Sequence, residues 1–219
     1  MLSLRRILLH RAGYGRVTVA ALLSATLVTT TASLAGEFND VLSIGDQAPA
    51  WNKLPGVDGQ QHSLDDLKDK QVVVVVFTCN SCPVAVDYED RIIAIAKEFA
   101  GANGKVALVA INVNRIKEDS LEKMKERSEK KGFPFPYLYD ESQQIARAYG
   151  ANFTPEFFVL DRDRKVVYMG GMDDNSNVDK VTVSYLKPAI EATLAGSKPA
   201  TAETVARGCR VRYARERRP

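Results

Sequence analysis

The sequence predicts an α/β fold with a central mixed β-sheet flanked by helices. "VVVVVF" at 72–77 lacks polar alternation and is rich in β-branched residues, which is typical of a strand buried on both faces. Apolar residues between Tyr88 and Phe99 then recur at helical spacing. "VALVAINVN" at 106–114 follows as a second buried strand. This βαβ order predicts parallel strands joined by a right-handed crossover.

Elements on both sides of this unit extend the prediction. The Asp58-Gly59 turn signal lies between short apolar pieces and predicts a small N-terminal hairpin. "EDSLEKMKERSEKKG" predicts a charged helix, with Asp119 and Glu122 spaced as a capping box and Gly132 ending the helix.

The second half of the chain adds four shorter elements. "YLYD" predicts a short strand, and "ESQQIARAYG" predicts a short helix closed by Gly150. "EFFVLDRDRKVVYMGG" predicts a hairpin that turns at 161–164, and a last helix is expected over about 181–194. "AGSKPATAET" is a linker by composition. We therefore expect one domain over 36–196 and a linker with an arginine-rich tail over 197–219.

The first 35 residues are predicted to be a secretory signal peptide. They contain four arginines and no acidic residue, and an uncharged stretch begins at Val17. Cleavage after Ala35 fits the preference for small residues. An uncleaved membrane anchor is the alternative, because the uncharged stretch nearly reaches spanning length. In both cases we expect an exported protein in the periplasm or another extracytoplasmic space.

The charge of the exported part argues against a nucleic-acid partner. The formal net charge of +3 becomes −1 once the four arginines of the signal peptide are removed. The remaining basic residues are concentrated in 207–219, which has six arginines against Glu216. We therefore expect a solvated basic tail rather than a nucleic-acid-binding surface.

Cys79 and Cys82 form a C-x-x-C motif where the predicted strand gives way to the predicted helix. Unpaired amides and the helix dipole at such a junction favour a thiolate over a thiol. The spacing predicts that Cys79 lies over these amides and that Cys82 lies about one turn further, close enough for a disulfide. The motif therefore predicts a redox-active centre in which one thiol attacks and the other resolves.

Other uses of the cysteine pair fit the residues less well. A zinc site usually has four ligands and would have to recruit His62 and Cys209. Haem attachment requires a histidine after the second cysteine, where this chain has Pro83. A purely structural disulfide across so short a loop adds little stability. No metal and no organic cofactor is expected.

Thr154-Pro155, directly before an apolar strand, supplies a second signal. Together with the order of elements, "IGDQAPAW", "FTCNSCP", "FPFPYLYD", "IARAYGANFTPEFFVLD" and "GCRVRY" resemble the thioredoxin superfamily. The resemblance is to its exported, peroxiredoxin-like (redoxin, AhpC/TSA-like) members with C-x-x-C. It extends from about Ile44 to Tyr213 and implies a thioredoxin-like fold with an N-terminal hairpin extension and a βα insertion.

The resemblance to thioredoxins implies a role for each site residue. Cys79 would attack, and Cys82 would be shielded and would resolve. Pro155 would be cis beside the sulfurs, and Thr154 would offer backbone groups to a bound polypeptide, with Thr78 as a further substrate contact. Thioredoxins also keep a buried acid six residues before the first cysteine, whereas this chain has a valine there.

The resemblance to peroxiredoxins implies a different first step. It places Cys82 where the peroxide-attacking cysteine belongs. Peroxiredoxins carry a P-x-x-x-T-x-x-C pattern, in which Val75 and Cys79 here replace the proline and the threonine. A third cysteine, Cys209, lies in "GCRVRY" and resembles a recurring tail of the same group. It is either a leftover exposed thiol or a resolving cysteine that a flexible linker brings to the pair.

Three functions fit these residues to different degrees. The leading hypothesis is an exported thiol-disulfide oxidoreductase that acts on cysteine-containing exported proteins and is served by a redox-partner protein. A contact with the membrane is expected only if the N-terminal segment is uncleaved. The alternative is a thiol peroxidase with antioxidant activity. A copper-binding chaperone is less favoured, because those proteins typically add a downstream histidine and none follows His62.

Overall fold

The computed structural model describes residues 36–100 and 104–215. The predicted signal peptide and the end of the arginine-rich tail lie outside these residues. The α-helices in the described residues are α1 (Pro83–Ala100), α2 (Leu121–Lys131), α3 (Gln144–Tyr149) and α4 (Leu186–Leu194). The strands are β1 (Leu54–Pro55), β2 (Gln61–His62), β3 (Val72–Phe77), β4 (Val106–Asn112), β5 (Tyr137–Tyr139), β6 (Phe153–Thr154), β7 (Glu156–Leu160), β8 (Val166–Gly170) and β9 (Cys209–Arg210).

A five-stranded mixed sheet organises the fold, in the order β5-β4-β3-β7-β8. The β3, β4 and β5 strands are parallel, whereas β7 runs antiparallel to β3 and β8 runs antiparallel to β7. The predicted α/β class with a mixed sheet flanked by helices is therefore confirmed. The predicted hairpins, β1-β2 and β7-β8, are also present.

The β3 strand is buried on both faces, as its unbroken apolar sequence predicts. Val73, Val75 and Phe77 face a core layer that includes residues of α3 and of the N-terminal segment. Val72, Val74 and Val76 face the other layer, which contains α1 and α4 residues. Each of these six side chains is fully inaccessible to solvent. The strand that leads into the cysteine pair is thus fixed from both sides, as parallel strands between helical layers usually are.

The cap of α2 differs from the prediction. The capping residue is Ser120, whose hydroxyl accepts a hydrogen bond from the Lys123 amide at 3.4 Å. Asp119 belongs instead to a short 3₁₀ turn before the helix, and its carboxylate points to other partners. Two adjacent residues with good capping side chains compete for one position, and tertiary contacts decide between them. The predicted helix end at Gly132 is confirmed, with φ of 65°.

The last helix is shorter than the sequence pattern predicts. The helical pattern extends from about 181 to 194, but α4 begins only at Leu186. The Asp174 carboxylate accepts hydrogen bonds from the amides of Thr182 at 2.9 Å and Val183 at 3.1 Å. Those two amides are therefore held in a loop, and their β-branched residues are poor helix formers as well.

The segment after α4 is held against the domain rather than free, which differs from the expected flexible linker. The Met169 amide donates to the Ala202 carbonyl at 3.0 Å, and the Thr204 amide donates to the Met169 carbonyl at the same distance. Further along, β9 pairs antiparallel with β6. Composition alone predicted a linker because alanine, serine, proline and threonine carry no apolar periodicity. The backbone groups of this segment nevertheless find partners along the sheet.

Two helix-ending glycines provide a matched test of the packing around α3. Gly132 and Gly150 both have φ of 65°, but a Cβ on Gly132 would meet nothing within 4 Å. A Cβ on Gly150 would approach the Asn39 side chain and lie 2.9 Å from the Val41 Cβ. We expect Gly132→Ala to lower the free energy of unfolding by about 1 kcal/mol through backbone strain alone.

Gly150→Ala should lower the free energy of unfolding by roughly 1–3 kcal/mol more, because overpacking adds to the same strain. Urea unfolding of the two variants measures this difference. Equal losses would contradict the packing of the N-terminal segment against the end of α3.

Candidate functional site

The C-x-x-C segment joins the carboxyl end of β3 to the first turn of α1. Cys79 and Cys82 are both buried, each with 3% of its surface exposed. The Cys82 carbonyl accepts the first helical hydrogen bond, from the Val86 amide at 3.0 Å. The Ala85 amide donates to the Cys82 Sγ at 3.4 Å. Cys82 therefore caps the helix with its own sulfur, and Pro83 occupies the first helical position, where no amide hydrogen is needed.

This geometry corrects the predicted arrangement of the two sulfurs. The spacing predicted that Cys79 would lie over the free amides of the helix. In the structure a helix amide reaches Cys82, because α1 begins directly after that residue. The reason is positional: the side chain of a capping residue meets the amide three residues ahead, and only Cys82 stands three residues before Ala85.

A buried carboxylate, Asp119, closes the turn between the cysteines. Its Oδ1 accepts hydrogen bonds from the backbone amides of Asn80 at 2.7 Å and Ser81 at 3.1 Å. Its Oδ2 accepts from the Ser81 hydroxyl at 2.6 Å and from the Asn114 side-chain amide at 3.0 Å. The turn amides are therefore occupied by Asp119 and are not available to the Cys79 sulfur.

Sequence reasoning missed Asp119 as a site residue. A signal was present in the sequence, because Asn112 ends and Asn114 and Asp119 follow a buried strand, β4, whose carboxyl end lies beside that of β3. All three side chains are buried. Ser81 was also missed: its hydroxyl lies 3.7 Å from the Cys79 Sγ and links that sulfur to the Asp119 carboxylate.

The two sulfurs differ in their readiness to lose a proton. The pKa of Cys82 is lowered to about 4, chiefly by the hydrogen bond from Cys79, with support from Cys209 and the Ala85 amide and opposition from burial. The pKa of Cys79 is raised, first by its hydrogen bond to Cys82, then by burial, with the Asp119 charge adding to the shift. The electrostatics therefore place the thiolate on Cys82.

One contact works against a thiolate on Cys82. The Thr154 carbonyl oxygen lies 3.2 Å from the Cys82 Sγ and can accept a hydrogen bond only from the protonated thiol. The Cys79 thiol, the Ala85 amide and the Cys209 thiol all act in the opposite sense. Three donors therefore oppose one acceptor, and the balance favours the thiolate on Cys82.

The Thr154–Pro155 peptide bond is cis, as the resemblance to thioredoxins implied. Thr154 is buried, and its hydroxyl oxygen lies 3.5 Å from the Cys79 Sγ. Thr78 is buried as well, and its amide donates to the Ile111 carbonyl at 3.0 Å. The structure thus brings Thr154 and Pro155 to the sulfurs, whereas Thr78 offers little surface to a bound polypeptide.

Glu156, directly after the cis bond, holds the short loop that leads to Thr154. Its carboxylate accepts hydrogen bonds from the amides of Asn152 at 2.7 Å and Phe153 at 2.9 Å. Burial raises the pKa of Glu156 to about 7, while these two amides lower it. The side chain therefore positions the loop and carries a proton at mildly acidic pH.

Cys209, the third cysteine, lies at the same site without any flexible linker. It packs against the cluster of Cys79, Cys82 and Ala85, although it remains more exposed than the pair. Burial and its hydrogen bond to Cys82 raise the pKa of Cys209 to about 11. Gly208, the glycine of "GCRVRY" in the resemblance, allows this close approach.

His62 hydrogen-bonds to Asp58 within the β1-β2 hairpin, not to a cysteine. Within 36–100 and 104–215, no group of three or more histidine, cysteine, aspartate or glutamate side chains is arranged to hold a metal ion. In the same residues, no helix has both the length and the apolar character that crossing a membrane requires.

The chain resembles known redox proteins. The family model described as "AhpC/TSA family" matches residues 44–169, more than half of the chain. A Mycobacterium tuberculosis (strain CDC 1551 / Oshkosh) protein, provisionally named a peroxiredoxin, is 29% identical over 58% of this chain and 83% of its own length. Thiol-disulfide oxidoreductase ResA from Geobacillus thermodenitrificans is 28% identical over 69% of this chain and 82% of its own length.

Solved structures agree on the fold. An uncharacterized conserved protein from Geobacillus kaustophilus is 34% identical, with a TM-score of 0.75 over 82% of this chain and 96% of that one. A Neisseria meningitidis protein, provisionally named a thioredoxin, is 23% identical, with a TM-score of 0.55 over 69% of this chain and 93% of that one. The second match shows the fold alone. The chain has a thioredoxin-like α/β fold.

The assignment of the thiolate predicts how two substitutions change the pKa of Cys82. Cys79→Ala removes the strongest donor and should raise that pKa most. Cys209→Ala removes a weaker donor and should raise it less. Ultraviolet thiolate absorbance of the reduced proteins against pH measures both shifts. An unchanged pKa in Cys79→Ala, or a larger shift in Cys209→Ala, would show that the thiolate is not held as described.

Proposed function

Because the chain belongs to the AhpC/TSA family, we propose that it is an exported thiol-disulfide oxidoreductase that exchanges disulfides with other proteins through Cys79 and Cys82. One observation carries the proposal: Cys79 and Cys82 are buried in one cluster at the start of α1, where the Ala85 amide donates to the Cys82 Sγ. The similarity to a protein named thiol-disulfide oxidoreductase supports it. The basic and then uncharged composition of residues 1–35 supports export.

The proposed cycle follows from the pKa difference. The Cys82 thiolate attacks one sulfur of a substrate disulfide, forming a mixed disulfide and releasing the other substrate sulfur as a thiolate. Cys79 then loses its proton and attacks the Cys82 sulfur, which releases the second substrate thiolate. The substrate disulfide becomes two thiols, and the pair becomes the Cys79–Cys82 disulfide. The resemblance to thioredoxins implied the reverse order of attack, with Cys79 first.

The surroundings of the pair supply the proton path that a buried thiol needs. Thioredoxins use a buried acid on the strand, where this chain has Val73. We propose that the Cys79 proton passes to the Ser81 hydroxyl as that hydroxyl gives its own proton to Asp119. The contacts of 3.7 Å and 2.6 Å along this chain support the route. Proton transfer of this kind needs a positioned acceptor within hydrogen-bond reach.

A thiol peroxidase is the second candidate function, and the low pKa of Cys82 favours it specifically. A peroxidase needs its attacking cysteine as a thiolate, and Cys82 occupies the corresponding place in the resemblance. A relative provisionally named a peroxiredoxin points in the same direction. Val75 and Cys79 stand where peroxiredoxins have proline and threonine, so the groups that orient peroxide are missing. We therefore place disulfide exchange first.

Reduction of insulin by dithiothreitol separates the two functions. The wild-type protein should accelerate this reduction. Cys79→Ala and Cys82→Ala should both fall to the uncatalysed rate, because each variant retains only one of the two sulfurs that the cycle needs. Val205→Ala serves as a matched control, since Val205 is a half-exposed tail residue outside the cluster of sulfurs.

Absence of acceleration by the wild type, or full activity in either cysteine variant, would refute the disulfide exchange. A parallel stopped-flow measurement follows oxidation by hydrogen peroxide. We expect a rate no faster than that of a free thiol. A much faster rate that disappears in Cys82→Ala would establish the peroxidase instead.

A further inference from the structure

The strand β9 brings Cys209 to the residue before the cis bond. It pairs antiparallel with β6, with Cys209 opposite Thr154 and Arg210 opposite Phe153. The Thr154 hydroxyl also donates to the Cys209 carbonyl at 3.4 Å. Further along, the Val211 amide donates to the Asn152 carbonyl at 2.9 Å. Backbone and side-chain hydrogen bonds on both sides of Cys209 therefore fix its position along β6.

Gly208 makes this position possible. A Cβ on Gly208 would overlap the Thr154 carbonyl oxygen, would lie 2.7 Å from the Thr154 carbonyl carbon and would lie 3.2 Å from the Pro155 nitrogen. These are backbone atoms of a buried loop, so they cannot move aside as the end of a flexible side chain can. Any larger residue at 208 would lift the tail away from β6. The approach of Cys209 to the pair thus depends on a glycine before it.

The sulfurs themselves form one group. Cys209 packs against the cluster that Cys79 and Cys82 form with Ala85. It is the most exposed of the three, whereas each member of the pair has 3% of its surface exposed. A thiol held beside one sulfur of a redox pair by paired strands is positioned for exchange, since exchange needs access to that sulfur.

We propose that Cys209 is a third redox cysteine, which exchanges with Cys82 within the same chain. In the oxidised protein the Cys209 thiolate attacks the Cys82 sulfur, the Cys79–Cys82 bond breaks and the Cys82–Cys209 bond forms. Cys79 leaves as a thiolate and takes up the proton that Cys209 released. No electrons are gained or lost overall. The proposal deepens the proposed function and rests on it, since it requires Cys79 and Cys82 to cycle as a redox pair.

This exchange moves the disulfide from the buried pair to a bond that includes the more exposed Cys209. Cys79 and Cys82 are nearly inaccessible to solvent, and the tail lies against them. Once the disulfide moves to Cys82–Cys209, one of its sulfurs belongs to a strand at the surface. A redox-partner protein can then reduce the disulfide through Cys209 without reaching the interior. Cys209 therefore connects the buried pair to that partner.

A Cys79→Ser variant tests the exchange with oxidised glutathione as the oxidant. Its tryptic peptide 71–91 has Cys82 as its only cysteine, and peptide 208–210 has Cys209. The Cys82 thiolate should take up glutathione, and Cys209 should then displace it, releasing two reduced glutathione molecules in all. Peptide mapping without reduction should therefore find 71–91 joined to 208–210. Glutathione on both cysteines with no joined peptide would overturn the proposal.

A second variant separates the exchange from simple proximity of two thiols. Gly208→Ala in the Cys79→Ser background keeps both cysteines but lifts the tail, so the joined peptide should be lost and Cys82 should retain glutathione. Val205→Ala in the same background should behave as Cys79→Ser alone. A joined peptide that forms equally well in the Gly208→Ala variant would contradict the role of β9.

The otherwise unsubstituted oxidised protein provides the last comparison. It has one free thiol, and alkylation should label peptide 71–91 as well as 208–210 if the disulfide moves to Cys209. In Gly208→Ala the label should appear only on 208–210. Label confined to 208–210 in the unsubstituted protein would overturn the exchange. Failure of insulin reduction alone would instead refute the proposed function, so the two failures are distinguishable.

Discussion

The Asp119 carboxylate holds the turn between the two cysteines and adds to the difference in pKa between their sulfurs. Its oxygens accept hydrogen bonds from the backbone amides of the turn between the cysteines, and it places a negative charge near Cys79. The amide at the start of α1 is left to Cys82. Both sulfurs are buried, so these few contacts act in a low dielectric, where a charge or a single donor matters far more than at the surface. The difference between the two sulfurs thus depends in part on a residue from another loop.

The sheet brings that loop into place. The β3 and β4 strands are parallel and adjacent, so the segments that follow them lie at the same edge. The β7 strand runs the other way and begins at this edge, which adds the cis Thr154–Pro155 bond. Finally β9 pairs with β6 and adds Cys209. Four segments distant in sequence thus meet around two sulfurs, and three of them follow or precede strands of one rigid sheet.

Features with a local cause were predictable from the sequence. The buried β3 strand, the hairpins and the helix ends at Gly132 and Gly150 follow from composition and periodicity within a few residues. The thiolate on Cys82 and the pairing of the tail strand β9 with β6 were not predictable in this way. The first depends in part on Asp119, which stands 37 residues after Cys82 along the chain and which the local pattern assigned to a helix cap. The second depends on backbone pairing that composition does not encode.

The position of the thiolate in the reduced protein is the most direct test of this account. A pH titration of the cysteine Cβ carbon resonances, assigned through single cysteine substitutions, follows each sulfur separately. The account predicts that the Cys82 resonance shifts in the acidic range, well before those of Cys79 and Cys209. If the Cys79 resonance shifted first, Asp119 and the α1 amide would not control the pair, and the roles assigned to the sulfurs would be reversed.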